Sequence, residues 1–224
     1  MMTSQRYKLS VLLLAAGKSQ RFNGIKMLTA LASQKLAPQQ KSLTLIEQVL
    51  NNIEQALPLF SIKRTNIHIA TGQYHQQIAA LLAEKYPLLY CNQANLGLGH
   101  TIAQAVAYIV ENKKNTSHIM IALADQIALE SNDYAQLITQ SITFPNAIIC
   151  AKAQNHLMSP AIFPQAYFSE LTQLSGDKGA RSLLIKNKDQ LQSVSLPTAL
   201  IDIDTPQDLA RWQKNSEQIN NQSL

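Results

Sequence analysis

Residues 9–16, Leu9-Ser10-Val11-Leu12-Leu13-Leu14-Ala15-Ala16, form an apolar run broken only by Ser10 and ended by Gly17. A strand with one wet face alternates apolar and polar residues. A run that is apolar at both parities is buried on both faces, as in a parallel sheet covered by helices on each side. The run falls well short of the roughly 20 apolar residues that a membrane span needs. The polar start, MMTSQRYK, is unlike a signal peptide. These features predict a cytoplasmic protein with no membrane partner.

Further strands are predicted at 66–70, 88–91, 118–123, 147–151 and 200–203. Helical periodicity falls between them. In 43–57 the apolar residues stand at 43, 46, 49, 50, 53 and 57, one face of a helix. The windows 74–86, 101–110, 134–142, 179–185 and 206–212 follow the same rule. Strands alternating with helices imply an α/β, Rossmann-like, doubly wound and mostly parallel sheet. With 224 residues, 46% hydrophobic and 15% charged, the chain can bury a full core as a single domain over 1–224. The core is expected over roughly 9–212, with a surface loop at 29–42 around Pro38 and a polar, frayed tail at 215–224. The net charge of +5 permits an anionic ligand. The cations are scattered rather than clustered, which argues against a nucleic-acid partner. Cys91 and Cys150 lie in apolar runs without metal-ligand spacing and read as buried, reduced thiols.

Doubly wound sheets bind ligands beyond the carboxyl ends of their strands. The segment leaving the first strand there is Leu14-Ala15-Ala16-Gly17-Lys18-Ser19-Gln20-Arg21-Phe22-Asn23-Gly24-Ile25-Lys26. Small residues let backbone amides approach a ligand, and Arg21 and Lys26 are cations able to hold phosphates. The segment is neither a Walker A loop, because Met27 follows Lys26, nor a G-x-G-x-x-G fingerprint. On residues alone it also suits a glycine turn with two solvated cations. Asp125, after the apolar run 118–123, suits a hard cation shared with phosphates, or a helix cap. Gly97-Leu98-Gly99-His100-Thr101-Ile102 is a glycine-rich turn opening a helix, where anions are favoured. Asp177 and Arg181 could pair across one helix turn. Asp202, within the strand at 200–203, and Asp204, just after it, share a strand face, and Thr205-Pro206 starts a helix. The five histidines show no metal-like spacing, and no G-x-S-x-G nucleophile elbow exists.

Taken in order, these segments resemble the MobA-like nucleotidyltransferases, and among them the MocA-type molybdenum cofactor cytidylyltransferases. The first loop is similar to L-x-A-A-G-x-S-x-R-F-x-G-x-K-x-L. Ala124-Asp125-Gln126 is similar to A-D-Q-P, and Pro160-Ala161-Ile162-Phe163 to G-x-P-x-L-F. Leu174-Ser175-Gly176-Asp177-Lys178-Gly179-Ala180-Arg181-Ser182-Leu183-Leu184 is similar to L-x-G-D-x-G-A-R-x-L-L, and Asp202-Ile203-Asp204-Thr205-Pro206-Gln207-Asp208-Leu209 to D-I-D-T-P-E-D-L. Asn23, Ile127 and Met158 depart from the family pattern.

The resemblance implies transfer of CMP from CTP to the terminal phosphate of a molybdopterin-type acceptor, with release of pyrophosphate. It implies catalytic roles for Arg21, Lys26 and Asp125. It places nucleotide contacts at Leu14, Ala15, Ala16, Gly17, Ser19, Arg21, Lys26, Thr71, Gly97 and Thr101, and acceptor contacts at Pro160, Asp177 and Arg181. Mg²⁺ would be held by Asp125 and Asp204, with Asp202 as the alternative to the latter. The family's GTP-using branch resembles L-A-G-G at the first loop, so the methyls of Ala15 and Ala16 favour CTP. A molybdoenzyme would be the client. Guanylyl transfer, a sugar-phosphate acceptor, and a non-catalytic carrier of molybdenum cofactor remain open on the sequence.

Overall fold

A computed structural model describes residues 7–19, 21–22, 24–31 and 42–222. Gln20, Asn23 and Pro38 lie outside the described residues, as does most of the loop expected at 29–42. Seven strands form one sheet: β1 (Leu9–Ala15), β2 (Ile67–Thr71), β3 (Leu88–Tyr90), β4 (His118–Leu123), β5 (Ile149–Ala153), β6 (His156–Pro164) and β7 (Gln192–Ser195). Their order is β3-β2-β1-β4-β6-β5-β7. All neighbours run parallel except around β6, which is antiparallel to both β4 and β5.

The apolar run of β1 is explained by what each parity covers. Leu9, Val11, Leu13 and Ala15 belong to one core. Leu12 and Leu14 belong to the core on the opposite face. The first core is closed by α1 (Leu45–Ala56), α2 (His75–Leu82), α4 (Ser131–Thr143) and the start of α7 (Pro206–Gln222), through Val49, Ile78, Leu137 and Leu209. The second is closed by α3 (Leu98–Asn112), α5 (Phe168–Thr172) and α6 (Arg181–Lys186), through Val106, Leu171 and Leu184.

Three strands depart from the sequence expectation. The apolar stretch 200–203 is not a strand. A 3-10 turn over Pro197–Leu200 precedes it, and Ile203 enters the core from an unpaired segment. Asp202 and Asp204 therefore share no strand face. The strands in this half are instead β6 and the short, mostly exposed edge strand β7. The helix starting at Pro206 continues to Gln222, so the tail expected to fray is helical over most of its length. Thr205 caps that helix: its Oγ1 accepts from the Asp208 amide at 3.2 Å, while Asp208 accepts from the Thr205 amide at 2.9 Å. No helix among the described residues is long and apolar enough to cross a membrane.

From β1 the chain builds outward through β2 and β3, then returns to place β4 on the other side of β1. That reversal creates a topological switch point between β1 and β4. Leu14 pairs with Leu123, and the Ala124 amide donates to the Leu14 carbonyl at 3.1 Å. The Ala16-Gly17 loop and Asp125 therefore leave the sheet side by side.

Candidate active site

An open cleft of about 610 Å³ lies over this switch point. Leu14, Ala15, Ala16, Gly17, Ser19, Arg21 and Lys26 line one wall, and Gly97, Thr101 and Asp177 line the other. Asp125 and Asp204 close it between them. Most residues nominated from sequence thus meet in one place, although they are drawn from five separate segments.

The loop folds back through Ser19, which sits in the left-handed region at φ 50°. Its hydroxyl accepts from the Lys26 amide at 3.1 Å. Ser19 thereby fixes where the turn carrying Lys26 begins. Lys26 is not a solvated surface cation. It is 8% exposed, and its ammonium donates to Asp125 Oδ2 at 2.8 Å and to Asp204 Oδ1 at 3.2 Å. Arg21, on the solvent side, donates to Asp204 Oδ2 at 2.6 Å. One buried ammonium therefore holds two carboxylates together, and a guanidinium closes the outer face.

The two aspartates suit a divalent cation. Asp125 Oδ1 is buried and has no hydrogen-bond partner among the described residues, so a carboxylate oxygen is left over beyond Lys26. No group of three or more metal-ligating side chains occurs among the described residues. Asp125 and Asp204 would supply two carboxylates to such a cation, in keeping with the preference of Mg²⁺ for hard oxygen ligands. Asp204 lines the cleft, whereas Asp202 lines a neighbouring hollow between α1, α4 and α7. The Asp202 carboxyl is pushed up to about 6, first by desolvation and then by the charges of Asp125 and Asp204, against the pull of Lys26.

The far wall is the start of α3, clamped by the strap at 174–179. The Gly99 amide donates to the Gly176 carbonyl at 2.7 Å, and the Gly176 amide donates to His100 Nδ1 at 3.1 Å. Contact is so close that a Cβ on Gly97, at φ 120°, would stand 2.5 Å from Asp177 Oδ1. Glycine at 97 is thus required by the strap. Thr101 donates to the Gly97 carbonyl at 3.3 Å and stabilises the turn it lines.

Three nominated residues lie outside the cleft lining. Thr71 is fully buried, bonded to His75 Nδ1 at 2.7 Å and to the Leu89 carbonyl at 3.3 Å. Pro160 is buried on β6, and Arg181 is exposed at the first turn of α6. No ion pair joins Asp177 to Arg181 among the described residues, because Asp177 precedes the helix. Ala15 also needs refinement. It lines the cleft but is 2% exposed and belongs to the core, so of the two alanines Ala16 is the more accessible. Lys18, Met27, Ala94, Asn95 and Leu98 line the cleft without having been nominated. Their signal in sequence is adjacency to the glycine turns, which selects no particular neighbour.

The family described as MobA-like NTP transferase domain matches residues 11–192. The bifunctional protein GlmU of Francisella philomiragia is 30% identical over 147 residues, 66% of this chain and 28% of that protein. The chain thus spans less than a third of that relative's length. Among solved structures, Rv0371c of Mycobacterium tuberculosis has a TM-score of 0.71 at 19% identity, covering 93% of this chain and 98% of that one. Rv0371c has also been solved in complex with manganese. The molybdopterin-guanine dinucleotide biosynthesis protein A of Archaeoglobus fulgidus has a TM-score of 0.61 at 14% identity, covering 93% and 99%. At these identities the structural likeness shows the fold.

Proposed function

Because this chain belongs to the MobA-like NTP transferase family, we propose that its cleft transfers a nucleotidyl group, CMP from CTP, to the terminal phosphate of a molybdopterin-type acceptor. The observation that carries this reading is the cluster of Lys26, Asp125, Asp204 and Arg21 at the switch point, beside the Ala16-Gly17 loop. An acceptor phosphate oxygen attacks the α-phosphorus, the bond to the bridging oxygen of the β-phosphate breaks, and pyrophosphate leaves. Lys26 and Arg21 neutralise the charge that moves onto the leaving group, by position rather than by a covalent intermediate. Asp125 and Asp204 would hold Mg²⁺, which when bound neutralises phosphate oxygens. The strap positions Asp177 opposite the cations, where an acceptor's donor groups can meet it.

CTP is favoured by Ala16. Its methyl borders the cleft and a smaller adjoining recess of about 210 Å³, which Gly72, Asn92 and Asn95 also line. A methyl there narrows the floor under the base and suits a pyrimidine better than guanine. Two buried free thiols, Cys91 and Cys150, fit work in the reducing cytoplasm, in the service of a molybdoenzyme client.

The test is pyrophosphate release from each of the four NTPs, with Mg²⁺ and either molybdopterin or a sugar 1-phosphate as acceptor. Release from CTP with molybdopterin is expected, and Ala16→Gly should erode the preference over GTP. A wild-type preference for GTP overturns the base assignment. Release only with the sugar phosphate overturns the acceptor. No release with any pair, alongside tight binding of molybdenum cofactor, makes the protein a carrier.

A further inference from the structure

Resting on the nucleotidyltransferase reading, we propose that Gln126 is a positioning residue that sets the distance between Asp125 and Asp204. Gln126 is 1% exposed. Its Nε2 donates to the Ser159 carbonyl and to the Ala199 carbonyl, both at 3.0 Å. Both partners are carbonyl oxygens, so only the amide end can face them. One side chain thus ties three pieces together: the turn carrying Asp125, the middle of β6, and the 3-10 turn that leads to Asp204.

The tie matters because of what the approach to Asp204 lacks. Residues 201–204 belong to no strand or helix. The backbone bonds of Ile201 and Asp202 are local, to Thr198 and Leu200. The far end of the stretch is fixed by the Thr205–Asp208 cap and by Ile203 in the core. The near end is fixed by Gln126 on Ala199. Asp125 and Asp204 repel each other, and Lys26 draws them together only while it stays between them. Once phosphates compete for Lys26, the spacing of the carboxylates depends on the backbone, and Gln126 is the direct bond between their two segments. Groups that orient metal ligands from behind commonly change metal affinity about 10- to 100-fold when removed.

The experiment measures the Mn²⁺ concentration that half-saturates the protein in the presence of CTP without acceptor, read by thermal unfolding and by Mn²⁺ paramagnetic resonance. Gln126→Met keeps length and volume but loses both donors. Gln126→Asn keeps the amide but is too short to reach both carbonyls, and it carries the comparison if the methionine variant does not fold. Asn52→Leu is the control for loss of a buried amide. Asn52 donates to the Leu129 carbonyl at 2.7 Å on the same side of the sheet, outside the cleft. The expected result is a rise in half-saturation of about 10-fold or more for Gln126→Met, and a smaller rise for Gln126→Asn. Asn52→Leu should lower the melting temperature without moving the metal dependence. If the Gln126 variants and Asn52→Leu shift half-saturation alike, or none shifts it, Gln126 is structural only. If wild-type protein shows no joint response to Mn²⁺ with CTP or with any of the other three NTPs, the nucleotidyltransferase reading itself falls.

Discussion

At the amino ends of β1 and β4, polar side chains meet each other. Ser10 bonds Thr116 at 2.8 Å, Ser117 bonds His118 Nδ1 at 2.9 Å, and His118 Nε2 meets the Pro145 carbonyl at 2.9 Å. Tyr7 bonds Ser141 and packs its ring on His118. Neutral groups are paired with neutral groups. At the carboxyl ends of the same strands, a nearly buried ammonium lies against two carboxylates, and Asp125 Oδ1 has no partner among the described residues. The difference separates a network that closes on itself from one with a carboxylate oxygen left over. Satisfied neutral pairs each contribute about 1 kcal/mol to stability. On the proposed function, a charge cluster with a spare carboxylate oxygen would gain most of its value from phosphates and a cation.

The largest effects should come from the carboxyl edge. Lys26→Ala and Asp125→Asn should each lower turnover by roughly 10²–10³-fold, the scale of losing one group aimed at developing charge. Lys26→Ala should also leave Asp125 and Asp204 facing each other without a cation. Mg²⁺ alone should then raise its melting temperature more than it does in wild type, because a ligand that binds only the folded state stabilises it. Unchanged turnover in Lys26→Ala would make its ion pairs structural and would erase the contrast between the two edges.

The amino edge should answer the other way. His118→Ala removes two bonds and leaves the Pro145 carbonyl without this partner, while the Ser117 hydroxyl keeps its bonds to Lys8. A cost of roughly 1–3 kcal/mol is expected, or a few °C of melting temperature per kcal/mol in a chain of this size. Turnover per folded molecule should stay within about twofold of wild type. Steady-state kinetics beside a melting curve would decide, and a selective loss of turnover would show that the amino edge is coupled to the cleft.

How far the sequence spoke follows the same division. β1 and β4 were legible because both faces are buried, so the pattern needs no knowledge of the partner. The cleft loop was legible because glycine, small residues and two cations stand in one short stretch. β7 was not: a polar, four-residue edge strand has little periodicity to read. The stretch 200–203 misled because Ile203 is buried without being a strand residue, and apolar runs alone do not separate the two cases. Pairing was the least legible feature. That Lys26 would sit between Asp125 and Asp204, and that Gln126 would reach Ser159 and Ala199, depends on contacts separated by 33 to 178 positions.

The smallest effect concerns the exception at the quiet edge. His68, on β2, is 1% exposed, and neither ring nitrogen has a partner among the described residues. Burial, reinforced by the charge of Lys113, lowers its pKa to about 4 from an ordinary 6.5. The unfolded chain therefore binds a proton at pH 5.5 that the folded chain does not. Stability linked to this group is fully present above about pH 6.5 and declines as the pH falls toward 4. One unit below the ordinary pKa the loss is about 1 kcal/mol. His118, also lowered by burial, declines in the same direction, so wild type alone cannot apportion the effect. His68→Leu can. Its surroundings are apolar, with Leu12 beside it in the β1–β2 register. The gap in unfolding free energy between this variant and wild type should widen in the variant's favour by about 1 kcal/mol from pH 8 to pH 5.5. Denaturant melts at the two pH values measure it. A gap that does not change with pH would mean that His68 keeps its ordinary affinity for protons when folded, through a partner bond that forms on protonation. The amino edge would then hold a charge after all.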